Sequence, residues 1–149
     1  MTERTFVMIK PDAVVRGLIG EILSRIERKG LKIIAMKMKL LSEEEARQLY
    51  LPHLDKPFFS ELVSFIRSAP VVLMVVEGKG SIAVMRRLLG STDSKEASPG
   101  TIRGDFSCSK SMNLVHASDS EESAKREIPI FFKEEDFLNY KRVDESWVY

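Results

Sequence analysis

The chain has 149 residues, 44% of them hydrophobic and 30% charged, a globular composition sized for one domain over 1–149 and unlike a disordered or low-complexity protein. Lys and Arg number 23 against 22 Asp and Glu, a net charge of +1, which excludes an overall pull toward nucleic acid or an anionic membrane. Cys108 is the only cysteine, so an intrachain disulfide and a Cys-rich metal site are both excluded. With no apolar run of ~20 residues and no signal-like N-terminus, a reducing, cytoplasmic setting is expected.

Taken in order, Phe6 to Ile9 in "TFVMIKPD" reads as a first strand stopped by Pro11, which cannot donate to a sheet ladder. "LIGEILSRIERKG" places apolar residues at 18, 19, 22, 23 and 26, one face of a helix that ends at Gly30. In "LKIIAMKMKL", Ile34, Met36, Met38 and Leu40 alternate with Ala35, Lys37 and Lys39, which predicts a second strand with the first set buried. Ser42 and Glu45 form an S-x-x-E capping box for a helix, and a further helix opens near Asp55 and Pro57 with Phe58, Leu62, Phe65 and Ile66 on one side. "PVVLMVV" is apolar throughout, as in a strand covered on both faces. "SIAVMRRLLG" predicts a helix with Ile82, Met85 and Leu89 inward and Gly90 as its stop.

Regularity is absent from Ser91 to about Met112, and a loop of that length in a compact domain is usually functional. "NLVH" then reads as a short fourth strand, and Ser118 with Glu121 as a capping box for a last helix toward Glu127. The order β-α-β-α-α-β-α-β-α predicts an α+β fold: a four-stranded antiparallel sheet of ferredoxin-like (βαββαβ) plan, helices on one face, with extra helices and the long loop.

The side chains that could carry chemistry gather late in the chain. A histidine that ends a strand, such as His116, is ordinarily a hydrogen-bonded structural residue. Arg103 in the adjacent loop and Arg86 on the preceding helix are charged forks suited to phosphate, Thr92 adds a hydroxyl, and Gly100 and Gly104 permit close backbone approach. Each also has a plain reading as a solvated or turn residue. Lys10 projects from the end of the first strand. Of Phe58 and Phe59, one is expected in the core and the other is free to stack on a base, whose π face makes such stacking indifferent to base identity. Asn113 either serves a sugar hydroxyl or starts a strand. His53 reads as solvated, and two such distant histidines lack metal-ligand spacing. Neither a P-loop nor a protein-kinase glycine loop occurs.

"TFVMIKPDAVVRGLIGEI", "KPFF", "PGTIRGDF" and "NLVHASDSEESAKREI" together resemble the signature segments of the nucleoside diphosphate kinases, in that family's order and spacing, from Thr5 to Tyr149. The resemblance implies transfer of the terminal phosphate of a nucleoside triphosphate, mainly ATP, to a nucleoside diphosphate through a phosphohistidine at His116. It further implies that Glu127 and Ser118 hold the imidazole and that Tyr50 lies beside the transferring group. By the same resemblance Lys10, Arg86, Thr92 and Arg103 hold phosphate oxygens, Asn113 the ribose, and Phe58 opposite Leu62 the base. Mg²⁺ would come with the nucleotide, and the assembly would be a hexamer, a trimer of dimers. Lys110, Ser111 and Met112 depart from the family pattern beside the base clamp. A catalytically silent RNA-binding module shares the sheet plan, but the chain lacks the aromatic strand such modules need. A scaffolding role leaves the basic set without work.

Overall fold

The computed structural model describes residues 2–149. Four strands, β1 (Thr2–Ile9), β2 (Lys32–Lys39), β3 (Val71–Lys79) and β4 (Val115–Ala117), form one sheet in the order β2-β3-β1-β4. Every neighbouring pair is antiparallel, so the ferredoxin-like plan read from the sequence holds. Helices α1 (Pro11–Val15) and α2 (Ile19–Arg28) follow β1, and α3 (Glu43–Leu49) and α4 (Phe59–Ile66) follow β2. Helices α5 (Ser81–Leu89) and α6 (Ile102–Phe106) follow β3, and α7 (Glu121–Phe131) follows β4.

The core lies on both sides of the sheet. Val7, Ile9, Val72 and Met74 pack against Ile22 and Ile26 of α2 and Met85 and Leu89 of α5. Phe6, Met8, Leu73 and Val75 point the other way, against Leu49, Phe59, Val63 and Phe131. The helices, read from the sequence as lying on one face, thus divide between two: the plan's own α2 and α5 take one, while the extra helices α3 and α4, with α7, cover the other. A strand covered twice must be apolar at every position, which is why β3 was legible as a continuous run.

β2 departs from its predicted pattern. Its register against β3 slips between Ile33 and Ala35, a bulge that adds one residue and reverses which side chains face inward. Ile34 and Ala35 are both buried, whereas Met36, Met38 and Leu40 are exposed. Lys37 and Lys39 occupy the inward side: Lys37 Nζ donates to the Phe131 carbonyl and Lys39 Nζ pairs with Glu45 Oε2 at 2.5 Å. In α4 the buried face is Phe59, Val63 and Ile66, with Phe58 left outside as the N-cap residue. The segment after Ser91 is less irregular than its composition implies. It holds a single 3₁₀ turn at Ser94–Glu96 and the short α6, capped by the Thr101 hydroxyl accepting from Gly104 N–H. At the C-terminus Tyr149 Oη accepts from Lys79 N–H at 3.0 Å, while Trp147 is 88% exposed.

Candidate active site

β4 is short because the residues before it turn sharply, and that turn brings His116 opposite Met8 of β1. The imidazole is held on three sides. Glu127 Oε1 lies 3.0 Å from its Nε2, the Phe6 ring stands 5.9 Å away, and the Tyr50 ring meets it edge-on at 5.9 Å. Its side chain keeps 19% exposure, so it is neither sealed in the core nor loose in solvent.

Glu127 is buried one and a half turns into α7 and has its own anchors. Ser118 Oγ donates to Oε1 at 2.7 Å, and Arg126 Nη2 approaches Oε2 at 3.3 Å. Burial opposes ionisation of this carboxyl. The hydrogen bond and charge at His116, the Ser118 hydroxyl and the Arg126 guanidinium outweigh it and hold the group below the usual carboxylate range. The expected capping box at Ser118 and Glu121 is therefore not the one formed. Ser120 caps α7 by accepting from Ser123 N–H at 3.0 Å, because Glu127 has drawn the Ser118 hydroxyl inward.

Cations and their tethers form the second part of the site. Lys10 Nζ, on a residue 7% exposed, donates to Asn113 Oδ1 at 2.7 Å, and Asn113 Nδ2 donates to the Thr92 carbonyl at 2.9 Å. Arg103, 3% exposed, spreads its fork over the carbonyls of Asn113, Gly90 and Val115 at 3.1, 3.1 and 2.6 Å. Arg86 is half-buried and reaches the carbonyl of Ala117, next to the histidine, at 3.3 Å. Burial, then the nearby Arg103 charge, push Lys10 down to about 8 against some help from Asp12. Burial and Arg86 bring Arg103 down to about 10. Burial and the Glu127 charge push the Tyr50 phenol up, so it stays protonated. Lys10, Arg86 and Arg103 are packed together with Asp12 as the one carboxylate that favours the Lys10 charge, an excess of positive charge suited to a polyanion.

The structure brings Lys10, Tyr50, Arg86, Arg103, Asn113, His116, Ser118 and Glu127 into this one region. Thr92 adjoins through its carbonyl, its side chain exposed. Phe58 is 45% exposed and Leu62 half-buried one helical turn on, with Phe59 buried, the division expected of that pair. His53, read as solvated, is half-buried. Its ring stands between Tyr50 at 6.3 Å and Phe58 at 5.9 Å, with Nδ1 buried. Asp12 and Arg126 were also missed. The "KPD" ending of the first strand was the one available sign of Asp12; Arg126 joins α7 to the carbonyls of Gln48 and Leu49 and had none. Among the described residues no group of three or more His, Cys, Asp or Glu is placed to hold a metal ion, and no helix is long and apolar enough to cross a membrane.

A sequence model of the family described as nucleoside diphosphate kinase matches residues 3–137. The chain belongs to the nucleoside diphosphate kinase family. It is an enzyme, a phosphotransferase of that family. A nucleoside diphosphate kinase of Archaeoglobus fulgidus is 57% identical over 147 residues, 99% of this chain and 97% of its own length. Among solved structures, a halophilic nucleoside diphosphate kinase from Halobacterium salinarum in complex with CDP superposes with a TM-score of 0.96 at 48% identity, covering 100% of this chain and 99% of its own. A transition-state mimic of the nucleoside-diphosphate kinase from Borrelia burgdorferi, with bound vanadate and ADP, gives 0.94 at 45% identity over 98% and 96%.

Proposed function

We propose that the chain, one domain over residues 1–149, moves the γ-phosphate of a nucleoside triphosphate, mainly ATP, to nucleoside diphosphates in two half-reactions at His116. The observation that carries this is the Nε2 contact with Glu127. A neutral imidazole whose Nε2–H is donated to a carboxylate has its lone pair on Nδ1, the tautomer that attacks. Nδ1 forms a bond to the γ-phosphorus as the bond from phosphorus to the β,γ-bridging oxygen breaks, and the diphosphate leaves with that electron pair. The ring gains positive charge, which Glu127 balances while keeping hold of the Nε2 proton. An acceptor diphosphate then enters the same site and the steps run backward. Lys10, Arg86, Arg103 and Thr92 hold phosphate oxygens, Tyr50 confines the transferring group, Asn113 holds the ribose, and Phe58 with Leu62 clamps the base. Catalysis of this kind is chiefly positioning and charge stabilisation.

Ammonium and guanidinium groups cannot ligate a cation, so Mg²⁺ would come bound to the nucleotide's phosphates and neutralise part of their charge. The activity belongs in the cytoplasm, where an exposed free Cys108 is stable. The hexamer expected from the resemblance is supported by the exposed Met36 and Met38 on the edge strand β2, with Leu40 just past its end, and by the exposed Trp147; sedimentation as a monomer at working concentration overturns it. The test of the chemistry is labelling with γ-³²P-ATP. The wild type should form an acid-labile, alkali-stable phosphoprotein that discharges onto added diphosphate, and His116→Asn should form none. Label retained by the variant places the chemistry elsewhere.

A further inference from the structure

Among the described residues Leu114 is the only non-glycine with positive φ, +77°. Val115 N–H reaches back across it to the Asn113 carbonyl at 2.9 Å, so Leu114 is the centre of a γ-turn of the rare, strained hand. It is fully buried. A bulky residue stays in such a conformation only where its surroundings over-determine it. Here they do. Asp12 Oδ2 accepts from Leu114 N–H at 3.1 Å, Lys10 N–H donates to the Leu114 carbonyl at 2.8 Å, and Arg103 holds the carbonyls on either side.

Asp12 is the member of this clamp that the phosphotransfer reading leaves without a task. It is 8% exposed, and its second oxygen, Oδ1, is buried with no hydrogen-bond partner. A half-satisfied buried carboxylate is costly, which a plain helix-start residue would not need. We infer that Asp12 is a positioning residue for the transfer, tying the strained turn that delivers Asn113 and His116 to the strand end that delivers Lys10. The inference rests on the reading given under Proposed function. Lys10 is faced by Arg103 from α6, by Asp12 from α1 and by the neutral amide of Asn113; Arg86, Tyr50 and Glu127 stand further round the same cluster. Of the charges facing it, Asp12 alone favours the ammonium form.

Two variants separate the parts of this role. Asp12→Asn keeps an oxygen to accept from Leu114 but loses the charge; Asp12→Ala loses both. Asn should leave kcat within about threefold and move the alkaline limb of kcat/KM acidward by about half a pH unit. Ala should show the same shift, together with an about tenfold loss of kcat, about tenfold faster hydrogen exchange at the Leu114 amide, and displaced His116 ring resonances. A carboxylate that served folding alone would lower the melting temperature and move neither the limb nor the ring. An Asn variant with an unmoved limb, or a folded Ala variant with wild-type kcat and wild-type Leu114 exchange, overturns the inference. If the Ala protein does not fold, the Asn limb decides. Failure of wild-type His116 to take label sinks the phosphotransfer reading instead, and Leu114 exchange and the His116 ring signals still judge Asp12 by themselves.

Discussion

Glu127 is a buried charge whose partners are all within one contact of His116, and that makes its protonation state and its acceptor character hard to replace. In Glu127→Gln the amide can offer N–H to Nε2, which favours the opposite tautomer and leaves the proton on Nδ1. The expected result is a loss of about 100-fold in kcat with little change in KM, checked by single-turnover labelling. Near wild-type labelling would mean that Nε2 does not set the tautomer. Lys10 supplies the second residue-level expectation. Its folded pKa of about 8 means that the free enzyme loses the Lys10 charge as pH rises through that value, so under the proposed role in holding phosphate kcat/KM should fall on the alkaline side from about 8. A profile flat to pH 10 would remove Lys10 from the binding set.

Among the elements, α6 is built against its neighbours so closely that one glycine decides it. A Cβ on Gly104 would lie 2.0 Å from the Ser98 carbonyl oxygen and 2.8 Å from Thr101 Oγ1, the atom that caps the helix. Gly104→Ala should therefore cost about 2–3 kcal/mol and weaken nucleotide binding by shifting Arg103, read as a lower denaturant midpoint and a raised KM. Gly20→Ala is the control. Nothing lies within 4 Å of its Cβ in α2, so stability should stay level or rise by roughly 0.5–1 kcal/mol. The same elements show what a sequence can carry. β3 and α5 were readable because continuous burial and helical spacing leave a pattern in residue type. The inward face of β2 was not, since one bulged residue inverts the alternation without altering composition. α6 is five residues, too few for a period. Ser118 reads from the sequence as the cap of α7, and Ser120 takes that place because Glu127, further along the same helix, holds the Ser118 hydroxyl. The chemistry of Lys10, Arg86 and Arg103 was visible from residue type, but their convergence on His116 came from the motif resemblance. Asp12 was hidden because its work is to support a backbone angle at a leucine.

Over the whole molecule, the buried Lys10 ammonium is a cost that the folded chain carries, and the proposed nucleotide binding would relieve it. An unfolded chain would titrate Lys10 at 10.5 and the folded chain titrates it at about 8. Below pH 8 both states bind the proton and the folded state carries the full cost of a buried ammonium. Between about 8 and 10.5 the unfolded chain binds more protons, so stability rises with pH across that window, by about 3 kcal/mol if Lys10 acts alone. The rise is measurable as the difference between wild type and Lys10→Met, which has no such group and should start out more stable at neutral pH. In the proposed site a bound diphosphate would add counter-charge to that of Asp12. At ~100 times Kd it should add about 2.7 kcal/mol, or about 5–10 °C in melting temperature for a chain of this size. At one fixed diphosphate concentration, set at ~100 times the wild-type Kd at pH 7, that shift should shrink from pH 7 to pH 9.5 as Lys10 loses its proton, and should be smaller at both pH values in Lys10→Met. Equal shifts in both proteins at both pH values would show that nucleotide affinity does not draw on the buried cluster.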